Sequence, residues 1–229
     1  MTEERGFALD PNCGLAEMRA KRHRNGRDLK IVITQRNSET GGGTSVLAAY
    51  LAMGWAPDWD GEKHATVSAE EFLATYPNLP EHSVLILDEA EALDARRSMS
   101  QENVEFSKDW MMMRTRQIDS ILTLPTTSAL DNRLLELADV RINVVHRGKA
   151  KVYRIKVDDH NPARGPRQWF MHDIEWPDLS SHPEFRKMDN QKQDKIDERG
   201  EKARKAAEDD DSLTKREQKR LAQVLRNQG

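Results

Sequence analysis

The sequence predicts an α/β fold: a three-layer domain built on a parallel sheet, with a C-terminal β extension and a polar, helix-prone tail. Three observations lead there. Short apolar runs alternate with helical stretches from Leu29 to Val145, the pattern of consecutive βα units. One run, Val84-Leu85-Ile86-Leu87, is apolar without interruption, as strands buried on both faces of a parallel sheet are. Beyond Arg147-Gly148 the pattern changes to strict alternation over Lys151–Val157, the period of a sheet with one solvated face.

The elements follow in order. Residues 1–15 read as irregular, and Glu17–Arg27 as a short basic helix. Ile31–Thr34 is the first strand. Thr44–Met53 is the first apolar helix, with Gly54 as its stop. Ala65–Val67 suits an edge strand. Ser68 can cap a helix over Ala69–Tyr76, with Glu71 at the capping-box position. Pro77 and Pro80 break the chain before the Val84–Leu87 strand. Asn103–Arg116 is helical, with Phe106, Trp110 and Met113 on one face. Ser120–Leu124 is a strand, Leu130–Leu137 a short helix and Val140–Val145 a strand. Lys151–Val157 and Gln168–Ile174 form the β extension, and Trp176-Pro177 closes it. Trp110 and Trp169 are both expected in the core. The organisation expected is a basic lead-in over residues 1–28, one domain over 29–177 and a charged tail over 178–229.

Composition narrows the class. There is no run of 18 apolar residues and no apolar signal core at the N-terminus, so a cytoplasmic protein is expected. A single cysteine, Cys13, rules out an internal disulfide and a cysteine-based metal cluster. The seven histidines have no metal-ligand spacing. Net charge is −3, unevenly spread: residues 1–185 hold 23 Lys/Arg against 29 Asp/Glu, and residues 186–229 hold 13 against 10. Within the tail, Lys215, Arg216, Lys219, Arg220 and Arg226 face only Glu217 after Ser212. This basic element is a candidate contact for DNA or another anionic partner.

Two motifs carry chemistry. The first strand runs into Gln35-Arg36-Asn37-Ser38-Glu39-Thr40-Gly41-Gly42-Gly43-Thr44-Ser45 and then the apolar helix. Strand, glycine-rich loop, hydroxyl pair and helix is the layout of a P-loop, whose backbone N–H groups cradle phosphates. The fold expected is therefore P-loop NTPase-like. The lysine that precedes the hydroxyl residue in that motif is missing. One register puts Thr44 at the Mg²⁺-binding hydroxyl, Gly43 at the lysine position and Asn37 at the first glycine. The other puts Ser45 at the hydroxyl, Thr44 at the lysine and Ser38 at the first glycine. Gly41, Gly42 and Gly43 allow close approach of backbone to phosphate. Arg36, at the loop entrance, is the nearby cation that could replace the lysine.

The second motif is Leu85-Ile86-Leu87-Asp88-Glu89-Ala90. The strand delivers Asp88 to the C-terminal edge of the sheet, where ligand sites of open parallel sheets lie. Asp88 there can hold Mg²⁺, with Thr44, and Glu89 can polarise an attacking water. A polar residue on the adjacent strand, Thr123 or Thr126, can sense a γ-phosphate. Arg133, Arg141, Arg116 and Arg147 are placed to act as an arginine finger toward a neighbouring subunit, with Arg133 the catalytic candidate.

This order of motifs resembles the HerA/FtsK superfamily of P-loop ATPases. More narrowly it is similar to zonula occludens toxin-like ATPases of viruses and plasmids, and to predicted ATPases of haloarchaea and their mobile elements. The Gln35–Ser45 loop, the Leu85–Ala90 string and the Arg116–Arg141 run carry the resemblance, which spans Leu29–Pro177. It implies ATP and Mg²⁺ as cofactors, a homo-oligomer (a hexameric ring in that superfamily), and a motor that moves DNA or assembles filaments, cytoplasmic or virion-associated. A non-hydrolysing pseudo-ATPase scaffold and a DNA-binding protein are the alternatives.

Overall fold

The computed structural model describes residues 13–35, 41–90, 101–126, 132–157, 160, 165–198, 200–202 and 204–205. Seven strands form one sheet: β1 (Lys30–Gln35), β2 (Ala65–Thr66), β3 (Val84–Leu87), β4 (Asp119–Leu124), β5 (Val140–His146), β6 (Lys149–Lys156) and β7 (Arg167–Glu175). Their spatial order is β2-β3-β4-β1-β5-β6-β7. The pairs from β2 to β5 are parallel, and β5–β6 and β6–β7 are antiparallel. The α/β class with a β extension is therefore the class predicted. The strand β4 lies between the two motif-bearing strands β1 and β3, so all three deliver their C-terminal ends to one edge.

Successive side chains of a strand point to opposite faces, and here each face has its own core. Ile31, Ile33 and Ile86 pack with Leu47, Ala48 and Leu51 of helix α2 (Thr44–Trp55) on one side. Val32, Leu85, Leu87 and Leu122 pack on the other side with Phe72 of α3 (Ala69–Thr75) and with Phe106 and Trp110 of α4 (Gln101–Met112). Trp110 is fully buried, and its indole N–H donates to Ser120 Oγ at 2.8 Å. A short helix α5 (Asn132–Leu137) contributes Leu134 and Leu135 to this second layer.

The first helix, α1 (Gly14–Arg24), starts earlier than expected because Cys13 caps it: its sulfur accepts from the Ala16 amide at 3.4 Å. The helix is tied to the sheet at its N-terminal edge. Arg19 and His23 both reach the buried Asp119, which also accepts from the Leu29 amide at 2.7 Å. The helix α2 continues through Gly54 to Trp55, where Ala56 caps it. Five buried apolar side chains on that helix outweigh the roughly 1 kcal/mol cost of an internal glycine. Ser68 caps α3, accepting from the Glu71 amide.

Trp169 is not a core residue: it is 45% exposed on β7. The outermost strand has covered neighbours on one side only, so its side chains near Trp169 meet solvent. Trp59 and Trp176 are buried instead. The core also reaches beyond Pro177, with Leu179, Phe185 and Met188 buried in the α2-side layer. Met188 lies in a helix that begins at Pro183, whose Glu184 accepts from the Gly61 amide at 3.0 Å. Residues 190–229 form a second compact unit, whose described part is helical and largely exposed. Among the described residues no helix is long and apolar enough to cross a membrane.

Candidate functional site

Three elements converge at the C-terminal edge of β1, β4 and β3. The strand β3 ends at Leu87 and presents Asp88, which is 2% exposed. Its two carboxylate oxygens accept from the Ser45 hydroxyl at 2.8 and 3.0 Å. One of them also accepts from the Thr123 hydroxyl at 2.6 Å. Thr123 belongs to β4, in the position after Leu122, which pairs with Leu87. Its Oγ1 in turn accepts from the Glu89 amide at 2.9 Å. A buried carboxylate is costly without such donors, and hydroxyls supply them.

Glu89 sits at φ 52°, in the left-handed region. For a residue with a Cβ this costs about 1–2 kcal/mol. The Thr123 hydrogen bond holds it there, turning the chain abruptly so that Asp88 and Glu89 are adjacent but separately held. Strained non-glycine residues of this kind concentrate at functional sites.

The loop residues that the structure describes are Gly41 to Ser45. Gly41 and Gly43 have φ of 86° and 91°, which glycine alone adopts without penalty. Gly43 is the N-cap of α2 and makes no side-chain cap, so the amides of that helix's first turn are capped by no side chain from Gly43. A side chain at Gly42 would run into the carboxamide of Gln35. Of the two hydroxyls, Ser45 and not Thr44 is the one bonded to Asp88. Arg36, Asn37 and residues 38–40 lie outside the described residues, and so does the side chain of Arg133.

The other arginines separate by position. Arg116 lies before β4, at the opposite edge of the sheet, and bonds the Pro77 carbonyl. Arg141 is held within the sheet, donating to Thr34 Oγ1 at 3.0 Å, Gln168 at 2.8 Å and Asn143 at 3.2 Å. Desolvation holds its pKa below the usual guanidinium value. Arg147, in the β5–β6 turn, is at the loop itself. A Cβ on Gly43 would stand 3.9 Å from Arg147 Cγ and 3.4 Å from the Trp176 ring. The two residues line a cavity of about 200 Å³ with Val46, Gly148, Pro177 and Asp178. Arg147 pairs with Asp178 at 3.2 Å, and both are well exposed. Its position so close to the loop was not readable from sequence, because it depends on the turn of the hairpin folding back over α2.

Residues 58–168 match the family model for zonular occludens toxin (Zot). That stretch is Zot-like. The Zot-like segment contains Asp88, Glu89, Thr123 and Arg147, and it begins after the Gly41–Ser45 loop. Among solved structures, the N-terminal domain of zonular occludens toxin from Neisseria meningitidis is similar at 18% identity, over 63% of this chain and 95% of that one, with a TM-score of 0.37. The genome packaging NTPase B204 from Sulfolobus turreted icosahedral virus 2, in complex with AMPPCP, is similar at 12% identity, over 67% of this chain and 99% of that one, with a TM-score of 0.41. No curated protein matches the chain.

Proposed function

We propose that this chain is an ATP-binding and ATP-hydrolysing subunit of a motor that packages or moves DNA, or drives assembly, for a mobile element. The observation that carries the nucleotide reading is the buried Ser45–Asp88–Thr123 cluster, set at the C-terminal edge of three parallel strands beside a helix whose N-cap, Gly43, has no side chain to cap it. The residues fit a hard divalent cation. Mg²⁺ favours one or two oxygen ligands from protein and takes the rest from water and phosphate, and Ser45 with Asp88 offers such a set. The described residues contain no group of three or more His, Cys, Asp or Glu that would hold a metal without a nucleotide. Bound there, Mg²⁺ would neutralise charge on the β- and γ-phosphates.

The chain's own residues divide the remaining work. The amides of Gly41–Ser45 bind phosphate oxygens. Thr123 orients Asp88 and fixes the Glu89 backbone. Glu89 accepts a proton from the attacking water. Arg147 supplies a cation on the same subunit, in the region left neutral by Thr44. Arg36 remains a second source of charge, and Arg133 a finger toward a neighbour in a homo-oligomer. DNA contact through the Lys215–Arg226 tail and a cytoplasmic or virion-associated location belong to the same proposal.

Steady-state ATP turnover of wild type against Glu89→Gln tests it. The expected result is a Mg²⁺-dependent rate that the variant loses while still binding ATP. Equal rates in the two proteins would remove Glu89 from the chemistry. Thr44 at the lysine position favours a second reading, a nucleotide-binding scaffold without turnover. It predicts tight Mg²⁺-ATP binding with no phosphate release in any assembly state.

A further inference from the structure

We infer that the outer hairpin β6–β7, together with α1, forms a binding face for single-stranded nucleic acid. This inference concerns a surface distinct from the nucleotide site, and only its biological setting rests on the motor proposed above. It begins with a register shift. The β6–β7 pairing slips between Val152 and Tyr153, leaving Met171 as an extra residue on β7. Beyond the slip, Arg154 lies opposite Trp169 and Lys156 opposite Arg167. Alternation along β6 puts Arg154 and Lys156 on the same face as Val152, the side that α1 covers. All four side chains, Arg154, Lys156, Arg167 and Trp169, are exposed.

The helix α1 extends this face. Gly14 packs on Met171 and His172, and the Leu15 amide donates to His172 Nε2 at 3.2 Å. Between α1 and the hairpin lies a cavity of about 400 Å³ whose lining includes Lys21, Arg22, Arg27 and Arg154, with Glu17 as its acidic member. Arg22 is engaged by Asp139 at 2.8 Å. Lys21, Arg27 and Arg154 are exposed at the rim. A cationic groove therefore runs from α1 onto the hairpin of a chain whose net charge is −3.

The aromatic residue decides the kind of anion. Trp169 is 45% exposed, with Lys156 Nζ 6.0 Å from its ring. Burial of a tryptophan is usually favoured, and an exposed indole beside a row of cations is the arrangement that binds single strands: cations track the backbone while a base stacks on the ring. Duplex DNA hides its base faces and would use the cations alone. An acidic peptide would likewise gain little from the indole.

The test is binding of a fluorescein-labelled oligo-dT to the full chain, without nucleotide, across a salt series. Arg154→Glu with Arg27→Glu is expected to weaken binding at least tenfold. It should also make the log–log salt slope shallower by about 0.7 for each phosphate that the variant no longer neutralises. Trp169→Ala should weaken oligo-dT binding about tenfold, leave a matched duplex within twofold, and leave the salt slope unchanged. Circular dichroism and nucleotide binding of the same variants separate this result from misfolding and from failure of the ATP site. The inference is overturned if Trp169→Ala and the double variant bind oligo-dT as wild type does, or if duplex or polyglutamate binds as tightly as oligo-dT. It is also overturned if charge reversal at Lys215, Arg216, Lys219 and Arg220 in the full chain abolishes binding while the hairpin variants retain it.

Discussion

Replacing Ser45 by alanine should cost far more than replacing Thr44, and the comparison decides the register of the glycine-rich loop. The Ser45 hydroxyl lies 2.8 and 3.0 Å from the two oxygens of Asp88, a side chain only 2% exposed. A hydrogen bond to a charged group contributes about 1.5–3 kcal/mol, and a buried acceptor deprived of its donor bears the full desolvation cost. Thr123 still donates to Asp88 in the variant, so the loss should fall inside that range and not beyond it. A loss of about 2 kcal/mol is a factor of about 30 in the folded-to-unfolded ratio. Thr44 is half-buried at the start of α2, and its truncation should stay within about 0.5 kcal/mol. Urea unfolding measures both. Calorimetry with a non-hydrolysable ATP analogue and Mg²⁺ should then show a loss above about tenfold for Ser45→Ala and below about threefold for Thr44→Ala. If Thr44→Ala is the more damaging variant in both experiments, the Ser45 register is wrong.

Other predictions rest on the same geometry. Gly43→Ala places a Cβ at φ 91° against the Trp176 ring and should destabilise by about 1–2 kcal/mol in urea unfolding; Gly42→Ala should cost less, since only the movable end of Gln35 must give way. Arg147→Ala should weaken ATP-analogue binding about tenfold by calorimetry while leaving the unfolding midpoint unchanged, because its partner Asp178 is a surface residue. His64 has its pKa held below the ordinary imidazole value by burial, and its Nδ1 accepts from the Asp60 amide at 2.9 Å. The unfolded chain then binds the proton more readily, so stability falls as pH drops through about 6.5. The urea midpoint of wild type minus that of His64→Asn should shrink over that window, and a constant difference would remove His64 from the pH dependence. Asp119→Ala leaves Arg19, His23 and the Leu29 amide without their shared acceptor and should cost about 3–5 kcal/mol in urea unfolding.

The sheet was readable where the sequence states burial directly. Val84–Leu87 and the Ile31–Thr34 run are apolar on both faces because both faces are covered, and their strands fall within two residues of expectation. The alternating stretch around Lys151–Val157 gave the β extension by the same logic in reverse. Asp88, Glu89 and Thr123 could be picked out because each ends or nearly ends such a strand. Contacts across the fold were less accessible. That β4 lies between β1 and β3 is a matter of pairing, which no local period encodes. The choice of Ser45 over Thr44 depends on the helical phase of α2 relative to Asp88, and one residue of phase rotates a side chain by about 100°. Trp169 reads as core because an apolar aromatic in a strand suggests burial, while an edge strand next to solvent gives it an open face. Arg147 could be named from sequence as a finger candidate, but its place beside Gly43 depends on the β5–β6 turn.

The central claim is that Asp88 and the glycine-rich loop bind a nucleotide with Mg²⁺. Calorimetric titration of wild type and Asp88→Asn with a non-hydrolysable ATP analogue, with and without Mg²⁺, tests it most directly. The prediction is Mg²⁺-enhanced binding in wild type and loss of that enhancement in Asp88→Asn, with the variant still folded by circular dichroism. No binding in wild type at any Mg²⁺ concentration, or an unchanged Mg²⁺ response in Asp88→Asn, would contradict it.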